Sequence, residues 1–388
     1  MPGFEVIDDR ELDQVADIFR NGGVLFRQGF EGLRNGVFKV KEFEEAFADY
    51  MGVASALAVT SGTAALRVAL AVLKLKPLEE VVIPSFTFVA TAEAVIEAGG
   101  IPVCVDIDET LNMDPGALRK AINSRTRAVI AVHMLGTPAR LIEIQQICSE
   151  RDVPLIEDTA WGCGGSLDGR NLGTWGRMGT FSFDFAKTMT TGEGGMVVFE
   201  DSSDALAARA WHDHGHDNNP AFPRWEDTRS SSGFNFRMTE LQGAVGLAQL
   251  SKLDAVIEGQ RASHESLREA LAPVAGISIR SEPEGSMSTY DAFVFEVPSS
   301  EHARLCRDEL VKEGVGTKIL PEALTWHFAA DWDHMPELVA QHPGGLRHAF
   351  PDSERRLSRC VALPTSAVRK GPQPETVQAV VERVLDSQ

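Results

Sequence analysis

The chain is short of cysteine, of basic charge and of long apolar runs, and each shortage closes off a class. Its five cysteines, at positions 104, 148, 163, 306 and 360, form no CxxC pair. That scatter reads as free thiols in a reducing cytoplasm. Lysine and arginine number 37 against 56 aspartate and glutamate, a formal charge of −19. Such a balance opposes unspecific binding to nucleic acid or to an anionic membrane. No stretch approaches the ~18 apolar residues of a membrane helix, and no charged segment leading into an apolar one marks a secretory signal. Heptads, repeats and low-complexity tracts are absent. What remains is a soluble globular composition, 43% hydrophobic over 388 residues, long enough for about two domains.

The pattern along the chain is α/β. Helices are expected over 11–20 and 38–50, separated by a glycine-rich loop that carries Arg27 and Arg34. Ala54–Val59 reads as a short buried strand, and Thr60-Ser61-Gly62-Thr63 opens a helix to about Leu75. Strand, small-residue turn and helix is the geometry that holds a phosphate on exposed N–H groups; it is equally that of a simply capped helix. Further strands are expected at 81–83, 102–106 and 128–133, with helices at 89–98 and 141–151 between or after them. This alternation implies βαβ units and a mostly parallel sheet, whose ligand cleft lies beyond the carboxyl ends of the strands. Residues 212–235 read as an irregular segment, and 238–272 as one long helix. Beyond about 275 the pattern is that of a smaller α/β unit, with strands at 277–279, 292–297 and 314–319 and a closing helix at 375–385. The division expected is 1–250 and 251–388.

The stretch from 157 to 198 carries the chemistry. One apolar run, Val153–Ile156, delivers Glu157 and Asp158; a second, Gly179–Phe185, delivers Lys187. A lysine set among Phe181, Phe183, Phe185 and Met189 is destabilised as the ammonium, which makes the amine nucleophilic. That suits a Schiff-base lysine, and an aspartate at a neighbouring strand end suits a pyridinium nitrogen. The same local pattern also describes an exposed turn lysine between two strands.

With these residues in view the chain resembles the DegT/StrS family of sugar aminotransferases over nearly its whole length. The strings that carry the resemblance are TSGTAAL (60–66), IPSFTFVATAEAV (83–95), IEDTAWGCGG (156–165), FSFDFAKTMTTGEGGMV (181–197) and GFNFRMTELQGAVGLAQL (233–250). The resemblance implies the fold type I of aspartate aminotransferase, with a large mostly parallel sheet domain and a smaller C-terminal α/β domain. It implies pyridoxal 5'-phosphate as cofactor, with Lys187 as its covalent anchor and the base, and Asp158 at the pyridine nitrogen. Gly62, Thr63 and Ser182 are then phosphate donors, Phe88 an aromatic on the cofactor face, and Asn235 a phosphate contact lent by a neighbouring subunit of a homodimer. Read without the resemblance, Phe88 is also compatible with core packing, Ser182 with a strand hydroxyl and Asn235 with a turn cap. Where this chain has Trp161 many relatives carry Gln or His; its indole offers one donor and no acceptor. Family branches with histidine at the lysine position dehydrate their sugars, so Lys187 implies transamination, usually with glutamate as donor.

Shorter strings resemble one branch, the 8-amino-3,8-dideoxy-manno-octulosonate transaminases of lipopolysaccharide synthesis. They are MPGFE at 1–5, LFR at 25–27, LRN at 33–35, HDHGHD at 212–217 and LTWHFAADWDHMPEL at 324–338. A sugar acid calls for cations, for which Arg27, Arg34, Arg237 and His214 are candidates. A nucleotide-linked 3- or 4-keto-hexose is the alternative acceptor. His212, His214 and His216 alternate, which on an extended segment would face them one way. They read as lining the substrate mouth or a subunit interface, with a metal site as the lesser reading. Trp326, His327, Trp332 and His334 read as a sugar roof or as packing. A cofactor-binding sensor without turnover is the non-enzyme alternative, and a base with an electron sink argues against it.

Overall fold

The computed structural model describes residues 2–219, 221–368 and 371–386; Met1 of the MPGFE string lies outside them. Seven strands form the main sheet: β1 (Ser55–Val59), β2 (Glu80–Pro84), β3 (Ile101–Val105), β4 (Thr126–Val132), β5 (Leu155–Asp158), β6 (Met178–Ser182) and β7 (Gly195–Phe199). Their order is β1-β7-β6-β5-β4-β2-β3. Pairings from β6 across to β3 are parallel, and β7 alone runs against both its neighbours. The mostly parallel sheet expected from the alternation is therefore present.

The sequence explains why this sheet is buried on both faces. Successive side chains alternate sides, and here both sets are apolar. Leu57, Val59, Ile130, Val197 and Phe199 pack into one core. Ala56, Ala58, Phe181, Met196 and Val198 enter a second with Phe43 and Phe47 of the helix Lys39–Met51. Val129, Ala131 and Leu155 enter a third. Each fully buried Phe or Leu contributes roughly 1.5–3 kcal/mol. With both faces covered, the strand carboxyl edge is left as the place where loops can build a site.

The C-terminal part has its own antiparallel sheet, β8 (Ser278–Ile279), β9 (Ala292–Glu296) and β10 (Cys360–Pro364), with β9 central. Phe293, Phe295, Val361 and Leu363 form its core with the helices Ser300–Lys312 and Pro374–Asp386. All five cysteines are buried free thiols.

Two expectations fail. The long helix is two, Glu240–Leu250 and Leu253–Leu271. At the break, Lys252 buries its ammonium 2.7 Å from Glu11 and 2.9 Å from Asp8, and an ion pair to the N-terminal helix Asp9–Arg20 fixes that turn. Residues 314–319 form no strand; Gly314 and Ile319 have φ of 77° and 69°, which interrupts extended backbone. The place beside β9 goes to β10, which sequence reading passed over.

Candidate active site

Five segments meet at the carboxyl edge of the main sheet. The register sets Val59, Gly195 and Ser182 side by side on β1, β7 and β6, and Val132, Asp158 and Thr180 on β4, β5 and β6. The cleft beyond them has a volume of about 340 Å³. Its walls include Gly62, Thr63, Phe88, Asp158, Trp161, Ser182 and Lys187. Seven of the eight cofactor positions implied by the resemblance therefore lie in one cavity.

The helix Gly62–Val72 starts at this edge, with Ser61 as its cap, accepting from Ala64 N–H at 3.1 Å. First-turn N–H groups have no partner within a helix, so Gly62 and Thr63 present donors and the positive end of the dipole. A Cβ on Gly62 would stand 2.7 Å from Ser182 Cβ. Only glycine lets the helix end and the β6 end approach so closely, and that approach builds an anion cradle of N–H groups and one hydroxyl.

Glu157 and Asp158 separate because adjacent strand residues point to opposite faces. Asp158 turns into the cleft. It accepts from Thr91 Oγ1 at 2.9 Å and from Ala160 N–H at 3.2 Å, and Thr87 bonds Thr91 at 2.8 Å. Burial pushes the Asp158 pKa up, while these donors and Lys187 pull it down. A buried carboxylate that forms no ion pair among the described residues suits a positively charged partner that arrives with the ligand. Glu157 turns away, accepting N–H bonds from Gly173, Trp175 and Gly176 at 2.6–2.7 Å, with His133 Nε2 3.1 Å off. It organises the loop before β6. Glu157→Ala strips one buried and two half-buried N–H groups of their acceptor and is expected to cost about 3 kcal/mol. Urea unfolding reads it, and a loss under about 1 kcal/mol would contradict this role.

Lys187 is half-buried in the cleft wall, its Nζ 3.5 Å from the Trp161 ring centroid. Loss of hydration lowers its pKa to about 8, against the opposing pull of Asp291, Asp158 and Asp184. Phe181 and Phe183 are core, as the reading of an apolar surround required, whereas Phe185 is half-exposed and stacks on Phe4.

Phe88 is at the cleft wall, stacked with Trp326 at 6.1 Å and beside His327 at 5.4 Å. Sequence reading left His327 open; it lines the cleft. It is brought there by long-range pairing: Thr87 N–H donates to His327 O, Val89 N–H to Trp326 O and Ala329 N–H to Ser85 O. No local signal encodes that. Trp332 is core, and His334 borders a second cavity that shares Ser61 and Thr63 with the cleft.

The expected substrate cations are placed elsewhere. Arg27 is buried, donating to Glu44 at 2.6 Å and to Ala58 O at 3.1 Å. Arg34 is buried, held by Val37 O at 2.7 Å and by Glu240 at 3.2 Å. Arg237 pairs with Asp213, as does Arg224. His214 is exposed and outside the cleft. Arg27 and Arg34 are thus corrected from anion receptors to structural ion pairs. The histidines are not on an extended run either. His214 has φ 56°, His212 is buried against Arg27, and His216 faces Asp227 at 3.3 Å. Asn235 is exposed and bridges Asp213; it does not line the cleft of its own chain.

The donor set fits pyridoxal phosphate: an anion cradle, a nucleophilic amine, a buried carboxylate and an aromatic wall around one cavity. Comparison with known proteins agrees. Residues 6–385 match the model of the DegT/DnrJ/EryC1/StrS aminotransferase family. The GDP-perosamine synthase of Vibrio cholerae is 30% identical over 362 residues, with 92% of each chain covered. A putative pyridoxal phosphate-dependent aminotransferase of Bacillus subtilis is 37% identical over 256 residues, 64% of this chain and 65% of that one. The crystal structure of the aminotransferase TlmJ from Streptoalloteichus hindustanus superposes with a TM-score of 0.84 at 28% identity, covering 98% of this chain and 97% of that chain. The chain belongs to the DegT/DnrJ/EryC1/StrS aminotransferase family and is a pyridoxal phosphate-dependent aminotransferase.

Proposed function

We propose that the chain moves an amino group from glutamate to a keto- or aldehydo-sugar, using the cleft around Lys187. The observation that carries this reading is Lys187 and Asp158 in one cavity with the Gly62–Thr63–Ser182 cradle. When bound, the cofactor supplies an aldehyde to trap an amine and a ring that delocalises the electron pair of a broken C–H bond. Gly62 and Thr63 N–H groups and the Ser182 hydroxyl hold its phosphate. Asp158 keeps a proton on the ring nitrogen, and Thr91 aims the carboxylate. Phe88 covers a face. Lys187 anchors the group covalently. With the cofactor and an amino donor bound, the freed Lys187 amine would take the donor α-proton and give it up again within the same half-reaction; the acceptor would then run the transfer in reverse, so ping-pong kinetics are expected.

Asn235 serves the phosphate of a second copy, which makes a homodimer the active species. Its exposure on one chain accords with that role. The compartment is the cytoplasm, in keeping with five unpaired thiols.

Two acceptors remain, each with its own support. The octulosonate aminated at C8 rests on the short strings; one of them, 324–338, supplies Trp326 and His327 at the cleft mouth. A nucleotide-linked 3- or 4-keto-hexose is favoured by the Vibrio cholerae relative, whose name specifies a GDP-sugar. It gains from the engagement of Arg27 and Arg34 in ion pairs, which leaves a free sugar carboxylate without them. The test offers the purified holoenzyme glutamate with the 8-oxo octulosonate or with GDP- and UDP-4-keto-hexoses, and follows 2-oxoglutarate. Turnover with one acceptor selects it; 2-oxoglutarate with none of them overturns the sugar reading. Absorbance of the bound cofactor that no amino acid alters would favour the sensor instead.

A further inference from the structure

Trp161 presents its ring face, not its N–H edge, to the active-site amine, with Lys187 Nζ 3.5 Å from the ring centroid. At that distance a partly desolvated ammonium is attracted to the negative face of the indole. The backbone of Trp161 is itself tied down. Thr289 Oγ1 donates to Trp161 O at 2.8 Å, and Thr289 N–H donates to Gly136 O at 3.0 Å. Gly136, at φ 83°, leaves the space: a Cβ there would lie 2.1 Å from Thr289 Oγ1. A second ammonium, Lys318 Nζ, sits 5.2 Å from the same centroid and is fixed by Asp291 at 2.6 Å. The two distances together cap the separation of the two ammonium nitrogens at 8.7 Å. Thr289, Asp291 and Lys318 all come from the C-terminal part of the chain, so that part builds the back of the amine's seat.

We propose that Trp161 is a positioning residue for Lys187: its ring face seats the protonated amine whenever Lys187 is not covalently engaged. The inference rests on Lys187 being the reactive amine. A lysine freed from a covalent link and protonated would have many rotamers. A π-face at van der Waals distance, on a residue whose backbone carbonyl Thr289 anchors, holds the ammonium within reach of the cleft without the strong charge that would trap it there. Asp291, Asp158 and Asp184 attract the same ammonium, while Lys318 repels it and His327 lies nearby. The ring supplies direction that those diffuse charges do not.

The sign of one shift separates this role from simple packing. If Trp161 only excludes water, shortening it hydrates the amine and raises its pKa. If the ring seats the ammonium, removing it lowers the pKa. The measurement is competitive acetylation of Lys187 against pH in cofactor-free protein, read by peptide mass spectrometry. Trp161→Leu is expected to move the half-point down by about one pH unit, and Trp161→Phe to keep most of the parental value. A half-point that stays or rises in Trp161→Leu overturns the proposal. Should Trp161→Leu fail to fold, Trp161→Met against Trp161→Phe decides, since Met fills space but offers no ring: equal half-points in those two overturn it. Because the assay needs no turnover, failure of the sugar reading would leave its outcome intact. Failure of the parental protein to take up pyridoxal phosphate would instead strike the function itself.

Discussion

A Lys187→Arg variant should lose transamination by at least roughly 10³-fold in kcat, because it loses both the covalent anchor and the base. Arginine keeps the positive charge and most of the length. It stays protonated at all working pH values, so it forms no Schiff base and accepts no proton. The native amine differs because its pKa is lowered to about 8. Relative to a solvated lysine, that places roughly 300 times more of it in the neutral form at pH 7. The pH dependence follows in sign. In cofactor-free protein, reactivity of Lys187 towards an aldehyde should rise through about pH 8 rather than above 10, and below that point the ammonium form dominates. The variant should still fold, since Lys187 is half-buried at a cleft wall and fills no core. Circular dichroism checks the fold, and 2-oxoglutarate release from glutamate checks the rate. Parental turnover in a folded Lys187→Arg protein would remove the amine from the mechanism.

The residues legible in the sequence were those whose position follows from a strand end. Asp158, Phe88 and the Gly62-Thr63 turn could be placed at one edge because the alternation of apolar runs and helices fixes which loops share it; Ser182 came only from the family resemblance. The split of Glu157 from Asp158 follows from strand periodicity. Arg27 was misread because a charge in a glycine-rich loop looks free until its partner is known. Glu44, 17 residues on in the helix Lys39–Met51, satisfies it only after folding. The three alternating histidines failed for a related reason: extended geometry was assumed where Gly215, at φ 82°, and His214 make a turn. His327 was beyond reach of any local pattern, since its place comes from pairing with residues 85–89 some 240 positions earlier. Trp161 was legible as an oddity. Its ring orientation, face-on to Lys187 and flanked by Lys318, was not.

Asp158→Asn should lower kcat by roughly 10²- to 10⁴-fold while leaving the cleft's shape intact. Asn matches Asp in size; its amide oxygen in place of Oδ1 still accepts from Ala160 N–H, and the Thr91 hydroxyl, which donates to Oδ2 at 2.9 Å, can turn to accept from the amide NH2. It carries no charge, so it cannot hold a proton on a pyridine nitrogen. Without that proton the ring takes up the electron pair of the broken C–H bond poorly, and the step that slows is the one in which Lys187 accepts the α-proton. Binding through the phosphate cradle and the covalent link to Lys187 does not use this charge, so cofactor content should remain near parental. A comparison isolates the charge from its orientation. Thr91→Val keeps the carboxylate and removes one hydrogen bond, so it should cost only about tenfold. Deuterium at the α-carbon of glutamate then serves as the discriminating readout. In Asp158→Asn, proton abstraction should become more fully rate-limiting and the isotope effect on kcat should grow, whereas a variant that merely distorted the pocket would raise KM and leave the isotope effect unchanged. A folded, cofactor-replete Asp158→Asn enzyme within tenfold of parental kcat would show that the buried carboxylate on β5 does not act on the ring nitrogen, and the electronic half of the mechanism would have to be sought in another residue.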